Sequence, residues 1–224
     1  MDGKILKILA DALPKIIVAG LKVTLPLTAA SFCIGMVIAV FTALVQFAHV
    51  KVLRQIARFY IWVVRGTPLM VQLFVVFYGL PSLGVTLDPI PTAILVFSLS
   101  QGAYCAETVR AALESVPAGQ IEAGYCVGMS YMQIIFRIVL PQAMRTAFPS
   151  LFNSLISLVK DTSLAASITV TEMLGETKRI VARSYQSLAL YCEVAVVYLL
   201  FSTFLTFLQR RGEKLLSGGW VGKR

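Results

Sequence analysis

Polar and charged side chains recur at helical spacing within apolar stretches of this chain. Ser150, Ser154, Ser157 and Asp161 follow one another every three or four residues, and Asn153 lies beside them. Residues at this spacing share one face of an α-helix, so they form a polar row on an otherwise apolar helix. Hydroxyl, amide and carboxylate groups arranged in this way can bind a polar, charged ligand. The alternative is contact between helices, where serine rows often pack.

A second polar set lies earlier in the chain, where Ser100 and Gln101 precede Glu107. Arg65 stands next to a Gly-Thr-Pro sequence that contains Thr67, and the proline leaves a backbone carbonyl without its usual partner. Broken helices at membrane depth often mark substrate sites. The alternative interpretation of Arg65 is a structural clamp that pairs with Glu107 or with the carboxylate of the first row.

Catalytic and metal chemistry find no support in the sequence. The chain has one histidine and four cysteines, none of them in a C-x-x-C pair, so no metal-ligand cluster is recognisable. No nucleophile–base pair is visible, and the G-x-x-x-x-G-K-[ST] sequence that binds ATP phosphates is missing. We therefore predict no catalytic residue, no metal ligand and no cofactor in this chain. A membrane-embedded enzyme that uses Glu107, Asp161 and Glu193 as acid–base groups is the remote alternative.

The helices that carry these rows belong to an integral membrane protein. The 224 residues are 58% hydrophobic and 14% charged, with a mean hydropathy of +0.81, whereas soluble domains carry about 25% charged residues. Charge-free apolar runs reach the roughly 20 residues that cross a bilayer. The predicted fold class is all-α, with five membrane-spanning helices over residues 23–48, 59–80, 89–106, 146–171 and 184–209.

Charge divides the chain into three parts. Residues 1–22 alternate lysines with leucine and isoleucine, which predicts a helix lying in the membrane interface. Residues 23–209 form the transmembrane domain, and residues 210–224 form a cytoplasmic tail. A modest bias of lysines and arginines favours an N-terminus outside and a cytoplasmic C-terminus. In so apolar a chain the net charge of +9 indicates contact with lipid headgroups, and no nucleic-acid binding is predicted.

Residues 109–145 are too polar to span a membrane and too regular for a loose loop. Pro117 suits the start of a helix and Gly128 its end, and Ser130 with Gln133 forms a capping box that opens a second helix before the next proline. Two short helices joined at a glycine corner suit insertion into a groove of another protein. Packing of the pair beneath its own bundle is equally compatible with the pattern.

This region also carries a motif of known spacing. It reads E-A-G-x3-G-x9-I-V-L-P and resembles the EAA motif of bacterial ABC importer permeases, with glycine in the third position where the motif has alanine. The motif positions are Glu122, Ala123, Gly124, Gly128, Ile138, Leu140 and Pro141. The resemblance implies that about residues 114–141, here called the coupling segment, dock on a cytoplasmic ATPase.

Further sequences extend the resemblance to nearly the whole chain. Four segments of this chain resemble the uptake permeases for polar amino acids, of the histidine/glutamine type. They are residues 65–69, 106–111, 140–143 and 160–164. Within that group the chain looks most like L-cystine permeases at residues 78–81, 87–91 and 153–165.

The resemblance implies a small ABC-importer permease with defined partners. Two permease chains, identical or related, form the pore, and two cytoplasmic ATP-binding subunits carry ATP and Mg²⁺. An extracytoplasmic amino-acid-binding protein delivers a polar amino acid, L-cystine by preference, for import by alternating access. Arginine, glutamine, histidine and glutamate are the alternative cargoes. The implied location is the bacterial cytoplasmic (inner) membrane, in which the chain is a multi-pass protein.

The expected cargo selects the candidate binding residues. An amino acid needs an anionic partner for its ammonium and a cation or helix N-terminus for its carboxylate. Asp161 is the first candidate for the ammonium. The full set of substrate-binding candidates is Asp161, Ser163, Ser157, Asn153, Gln101, Ser100, Glu107, Arg65 and Thr67.

Overall fold

The structure is a computed structural model that describes residues 3–47 and 51–217, and within these ranges it contains helices and no β-strand. The predicted all-α fold class is therefore confirmed. Residues 1–2 of the predicted N-terminal segment and residues 218–224 of the predicted tail lie outside the described residues.

Ten α-helices make up the described part of the chain. They are α1 (Gly3–Ala19), α2 (Leu25–Phe47), α3 (Lys51–Gly66), α4 (Leu69–Phe74), α5 (Pro89–Glu114), α6 (Ala118–Cys126), α7 (Tyr131–Ile134), α8 (Leu140–Asp161), α9 (Met173–Ser184) and α10 (Ser187–Ser217). Between some of them lie π-helical turns, at Gly20–Thr24, Val75–Gly79 and Ile135–Val139, and 3₁₀ turns, at Leu80–Leu83 and Thr162–Ile168.

Two helical stretches in the described ranges are long and apolar enough to cross a membrane, Gly3–Gln46 and Ser187–Leu216. A third is present if α3 and the segment Leu69–Leu83, which meet at 103°, count as one span. Helices α5 and α8 have 26 and 22 residues and also reach the length of a span, but their polar rows make them less uniformly apolar. The number of five spans stays a prediction.

The first of these stretches continues through the boundary predicted at residue 22. Helix α1 passes through the π-helical turn Gly20–Thr24 into α2, and Pro14 lies inside α1 without ending it. The lysines of this region change the polarity of the helix surface but are not a helix-ending signal. The N-terminal segment is thus the beginning of the first long helix, and its position in the membrane interface stays a prediction.

Helices α2 and α5 pack along each other through small residues. Ala39 on α2 is buried in one cluster with Ala103, Cys105 and Ala106 on α5. Small side chains let membrane helices approach closely, so van der Waals contact holds the pair without large apolar groups. Helix α8 also packs on α5. This arrangement turns the polar rows of α5 and α8 toward a common space.

A side-chain amide compensates for the helix break at Pro68. Proline has no N–H, so the carbonyl of Val64 loses its helical partner. The Nε2 of Gln72 donates to the Val64 carbonyl at 2.8 Å, and also to the carbonyl and hydroxyl oxygens of Thr67 at 3.1 and 2.9 Å. The break predicted from the Gly-Thr-Pro sequence is therefore present, and Gln72 satisfies the carbonyl that it frees.

The coupling segment contains the two predicted helices and the glycine corner between them. Helix α6 begins after Pro117 and ends before Gly128, whose φ is 77°. The predicted capping box is formed, because Ser130 Oγ accepts from the Gln133 N–H at 3.4 Å and Gln133 Oε1 accepts from the Ser130 N–H at 2.9 Å. The local signals in the sequence therefore placed both helix starts correctly.

The second of these helices, expected to be short, continues past Pro141. Helix α7 passes through the π-helical turn Ile135–Val139, in which the Leu140 N–H bonds the Ile135 carbonyl, and continues as α8. Pro141 lies in the first turn of α8, where the missing N–H of proline costs least. A continuous helical path therefore connects the coupling segment to the polar row of α8.

Candidate functional site

A cavity of about 410 Å³ lies between α5, α8 and the break after α3. We call it the Asp161 cavity. Its apolar lining comes from Val64, Leu69 and Leu164. The polar lining consists of Thr67, Ser100, Gln101, Tyr104, Asn153, Ser154, Ser157 and Asp161. The volume falls within the range of small-molecule sites, about 300–1,000 Å³.

The structure brings most of the predicted binding residues together in this cavity. Those that line it are Thr67, Ser100, Gln101, Asn153, Ser157 and Asp161. Ser163 does not, because the chain changes from α8 into a 3₁₀ turn at Thr162 and the side chains rotate differently about the axis. Arg65 and Glu107 line a neighbouring cavity. The binding roles of all nine residues stay predictions.

Asp161 has no hydrogen-bond or ion-pair partner in the described part of the chain. Its half-buried carboxylate lines the cavity, and no cationic nitrogen of those residues lies within 4.0 Å of it. Lys160 is its neighbour in sequence, but the lysine side chain is exposed on a different face of the helix. A partly buried charge without a partner is costly. A carboxylate in this environment attracts cationic groups.

Arg65 stands at the border between the Asp161 cavity and its neighbour. The guanidinium carbon lies 5.2 Å from the centre of the Tyr104 ring, which is a cation–π distance. Its Nη1 lies 4.0 Å from Glu107 Oε2. Of the two partners predicted for a structural clamp, Arg65 thus contacts Glu107, and no ion pair joins it to Asp161 in the described residues.

Glu107 is held by its neighbours. Arg110 donates to it through Nη2 at 3.0 Å and through Nε at 3.4 Å, and Gln46 donates to it at 3.4 Å. Arg110 also reaches Glu114 at 2.7 Å. Because its oxygens already accept several hydrogen bonds, Glu107 is part of a charge network and is less available to a substrate than Asp161.

Two polar residues of the cavity lining, Tyr104 and Ser154, are missing from the predicted set. The sequence held a signal for both. Ser154 belongs to the polar row of α8, and Tyr104 falls at helical spacing between Ser100 and Glu107 on α5. The apolar lining residues had no such signal, because a leucine or valine inside a membrane helix looks the same whether it faces lipid or a cavity.

The coupling segment has an exposed outer face. Glu122 and Ala123 are exposed on α6, and Val127 at the corner is 76% exposed. Gly124 is buried, and a Cβ at this position would lie 2.9 Å from Cγ1 of Ile134, which accounts for glycine where the EAA motif has alanine. An exposed apolar residue at a tight corner suits contact with another protein.

The inner face of the coupling segment has a small core of its own. Val116, Ile134 and Val139 are buried together, and Ile138 packs against them. Gly128 supplies the positive φ of the corner, a conformation that costs other residues roughly 1–2 kcal/mol. The two interpretations of the sequence pattern therefore apply to different faces. The inner face packs on the protein itself, and the outer face is exposed among the described residues.

Residues 33–217 match the protein family described as the binding-protein-dependent transport system inner membrane component. The chain belongs to this family. It is thus a transport component, and the resemblance seen in its sequence motifs is confirmed. Within the described residues the permease has no group of three or more histidine, cysteine, aspartate or glutamate side chains that could hold a metal ion.

Known relatives cover most of the permease. It is 46% identical over 202 residues to the L-cystine transport system permease protein TcyB of Bacillus subtilis (strain 168), covering 90% of this chain and 86% of that protein. It is 40% identical over 220 residues to TcyL, an L-cystine transport system permease protein of the same organism, covering 93% and 92%. A crystal structure of an amino acid ABC transporter with histidines matches with a TM-score of 0.88 and 27% identity, over 96% of this chain and 99% of that one.

Proposed function

We propose that this permease carries a polar amino acid, L-cystine first, into the cell, and that the Asp161 cavity is its binding site within the membrane. The observation that carries the proposal is a carboxylate that no described residue pairs with, in a cavity lined by hydroxyl and amide groups. The identity to two L-cystine permeases supports the choice of cargo. Arginine, glutamine, histidine and glutamate are the alternatives that a test must include.

The chemistry of the cavity suits an amino acid in its zwitterionic form. Asp161 binds the α-ammonium through a charge-assisted hydrogen bond, which is among the stronger polar contacts in proteins. Asn153 on α8 and Gln101 on α5 supply amide groups that both donate and accept hydrogen bonds. Arg65, which lies over the Tyr104 ring at the border of the cavity, supplies a cation for the carboxylate.

L-cystine has features that match the rest of the lining. It carries two ammonium and two carboxylate groups at the ends of an apolar disulfide bridge. Leu69 and Leu164 provide an apolar surface beside Asp161, which suits the central sulfur atoms. The molecule is long, so in this proposal its second end extends toward Arg65 or toward a second permease chain.

Transport in this proposal requires partners, because the permease has no ATP-binding sequence. A second permease chain, identical or related, completes the pore. Two cytoplasmic ATP-binding subunits carry ATP and Mg²⁺, and an extracytoplasmic binding protein delivers the amino acid. The N-terminus is outside and the C-terminus cytoplasmic, so the coupling segment faces the ATP-binding subunits. Their closure pushes on α6, and the helix path from α7 to α8 transmits the movement to the Asp161 cavity.

The test is the ATPase activity of the reconstituted complex with its ATP-binding subunits and binding protein, measured with a panel of amino acids. We expect stimulation by L-cystine above arginine, glutamine, histidine and glutamate. Stimulation by another member of the panel would replace the cargo and keep the importer. Failure to assemble with an ATP-binding subunit would overturn the importer. Recovery of the unchanged amino acid inside vesicles distinguishes transport from a membrane-embedded enzyme, which would convert it.

A further inference from the structure

A second cavity, of about 550 Å³, lies where α2, α3 and α5 meet, at the end of the bundle that carries the coupling segment. We call it the arginine cavity. Apart from Arg65 and Glu107, its lining residues are not among the binding candidates of the amino-acid site proposed above. Its charged lining consists of Arg54, Arg58, Arg65, Arg110, Glu107 and Glu114.

The guanidinium groups of this cavity outnumber its carboxylates. Glu107 and Glu114 are both bonded by Arg110, at 3.0 and 2.7 Å. In the part of the chain that the structure describes, Arg54 and Arg58 have no carboxylate within 4.0 Å, and the Nε of Arg54 is buried without a hydrogen-bond acceptor. Donors of this kind need a partner. The cavity thus has the charge and the open donors of an anion site.

The surface next to the arginine cavity is apolar and exposed. Val52, Ile56 and Phe59 follow one face of α3 and are each at least 60% exposed. Trp62 connects the two regions, since it lines the cavity and is itself 71% exposed. Helix α3 therefore presents arginines on one face and bulky apolar side chains on the other, as helices in the membrane interface do.

We propose that the arginine cavity binds the phosphodiester headgroup of an anionic phospholipid, with the acyl chains lying against the exposed apolar face of α3. Arginine suits phosphate because its planar guanidinium donates two parallel hydrogen bonds. Basic pockets between membrane helices on the cytoplasmic side are known to bind such headgroups. A soluble anion would satisfy the arginines but would leave the apolar face uncovered. A second copy of the chain would bring more positive charge to a cavity that already has an excess.

Tryptophan fluorescence provides a direct test. The chain has two tryptophans, Trp62 and Trp220, and the second lies outside the described residues. In full-length protein carrying Trp220→Phe, Trp62 is the only tryptophan reporter. The protein is reconstituted in phosphatidylcholine vesicles with a fixed fraction of phosphatidylglycerol, and either lipid is brominated on its acyl chains. We expect brominated phosphatidylglycerol to quench Trp62 more strongly than brominated phosphatidylcholine at the same mole fraction.

Arginine variants connect this preference to the cavity. We expect Arg54→Gln with Arg58→Gln to remove it, because each arginine near an anionic surface changes lipid affinity about fivefold. Arg58→Gln alone is the second variant if the pair does not fold, since Arg58 is exposed and makes no hydrogen bond in the described residues. Arg145→Gln is the matched control, because Arg145 is an exposed arginine at the same end of the bundle, on α8 and outside the cavity.

Four other results of the quenching experiment would overturn the proposal. Equal quenching by the two brominated lipids would mean that the cavity has no preference for an anionic headgroup. A preference lost equally in Arg145→Gln would indicate general attraction to a charged surface. A response of Trp62 to inorganic phosphate in neutral vesicles, without a preference among brominated lipids, would indicate a soluble-anion site. Absence of quenching by either lipid would mean that another protein surface covers α3.

Discussion

Asp161 differs from the carboxylate of Glu107 because no described residue forms a hydrogen bond or ion pair with it. Glu107, one helix away, accepts hydrogen bonds from Arg110 and Gln46. Lys160 attracts the Asp161 carboxylate only through a Coulombic interaction, without an ion pair. In the proposed binding site, a substrate ammonium would lower the free energy of holding this partly buried charge.

The first prediction concerns the charge of Asp161. Asp161→Asn keeps the size of the side chain and removes its charge, so we expect substrate-stimulated ATPase activity at a fixed substrate concentration to fall roughly 10- to 100-fold. This corresponds to about 1.5–3 kcal/mol for a hydrogen bond to a charged group. The measurement is a substrate titration of the reconstituted complex. Glu193→Gln is the control, because Glu193 is a carboxylate on α10 that does not line the cavity; an unchanged response in Asp161→Asn would remove Asp161 from the site.

The second prediction concerns the contact between Arg65 and Tyr104 at the border of the Asp161 cavity. Tyr104→Ala removes the ring that orients the guanidinium, so we expect the KM for uptake to rise about two- to fivefold. Tyr104→Phe retains the ring and should transport with a KM close to that of the wild type. Uptake of labelled substrate into vesicles measures both variants. An equal rise of KM in both would assign the effect to the hydroxyl and contradict the cation–π role.

The helix break between α3 and α4 depends on the Gln72 side chain, whose amide donates the hydrogen bond that a backbone N–H would normally supply. Gln72 binds the Val64 carbonyl that Pro68 leaves free, and it also binds Thr67, which lines the Asp161 cavity. The bend of 103° at this point places arginines of α3 on one side of the border and Thr67 on the other. The geometry of two cavities therefore depends on one helix break.

The third prediction tests this support. Gln72→Leu leaves the Val64 carbonyl without a partner, and we expect a loss of about 1–2 kcal/mol, or roughly 2–8 °C in the apparent Tm of the purified permease. Gln55→Leu is the matched control, because Gln55 is exposed on α3 and makes no hydrogen bond in the described residues. Thermal unfolding in detergent measures both. Equal Tm values for the two variants would contradict the role of Gln72.

The coupling segment carries the fourth prediction. Glu122→Lys reverses the charge of an exposed residue on α6, so we expect it to abolish uptake and co-purification with the ATP-binding subunit while the protein stays in the membrane. Asp88→Lys is the control, since Asp88 is an exposed acidic residue at the opposite end of α5, and this variant should still co-purify. Normal transport by Glu122→Lys would contradict the assignment of the coupling segment.

The buried carboxylate of Glu172, just after the predicted fourth span, lies where parts of the chain that are distant in sequence pack together. Glu172 caps α9 by accepting from the Gly175 N–H at 2.8 Å, and it accepts from the hydroxyl of Tyr198 on α10. The adjacent Met173 N–H bonds Thr24 Oγ1 at 3.4 Å, in the first long helix. Helices from both ends of the chain are therefore joined around one fully buried side chain.

The fifth prediction follows from the environment of Glu172. Burial raises its pKa above the ordinary 4.5, against the opposing effects of its hydrogen bonds and of Lys178. The folded state then keeps the proton at pH values where the unfolded state has lost it, so this contribution to stability is present at low pH and is lost as pH rises through the raised pKa. We expect Glu172→Gln to become more stable relative to the wild type as pH rises above the ordinary carboxyl pKa of 4.5, measured as the difference in Tm. A difference independent of pH would contradict this.

At the scale of the whole molecule, the Asp161 cavity and the arginine cavity of this permease share two helices, α3 and α5. Helix α5 contributes Ser100 and Gln101 to the Asp161 cavity, and Glu107 and Arg110 to the arginine cavity about two turns later. Arg65 and Tyr104 lie between them. A movement of α5 relative to α3 would therefore alter both cavities together.

The sequence by itself determined the class of protein, its family and the residues that share a helix face. The EAA spacing, the capping box at Ser130 and the polar row that ends at Asp161 are all local patterns, and local backbone geometry is sufficient to interpret them. Only the tertiary structure decided that Arg65 contacts Glu107 and Tyr104, that Gln72 repairs the break at Pro68, and that Ser163 turns away from the cavity. The rotation of each helix about its axis depends on packing between residues far apart in the chain, and a periodic pattern within one helix does not contain that information.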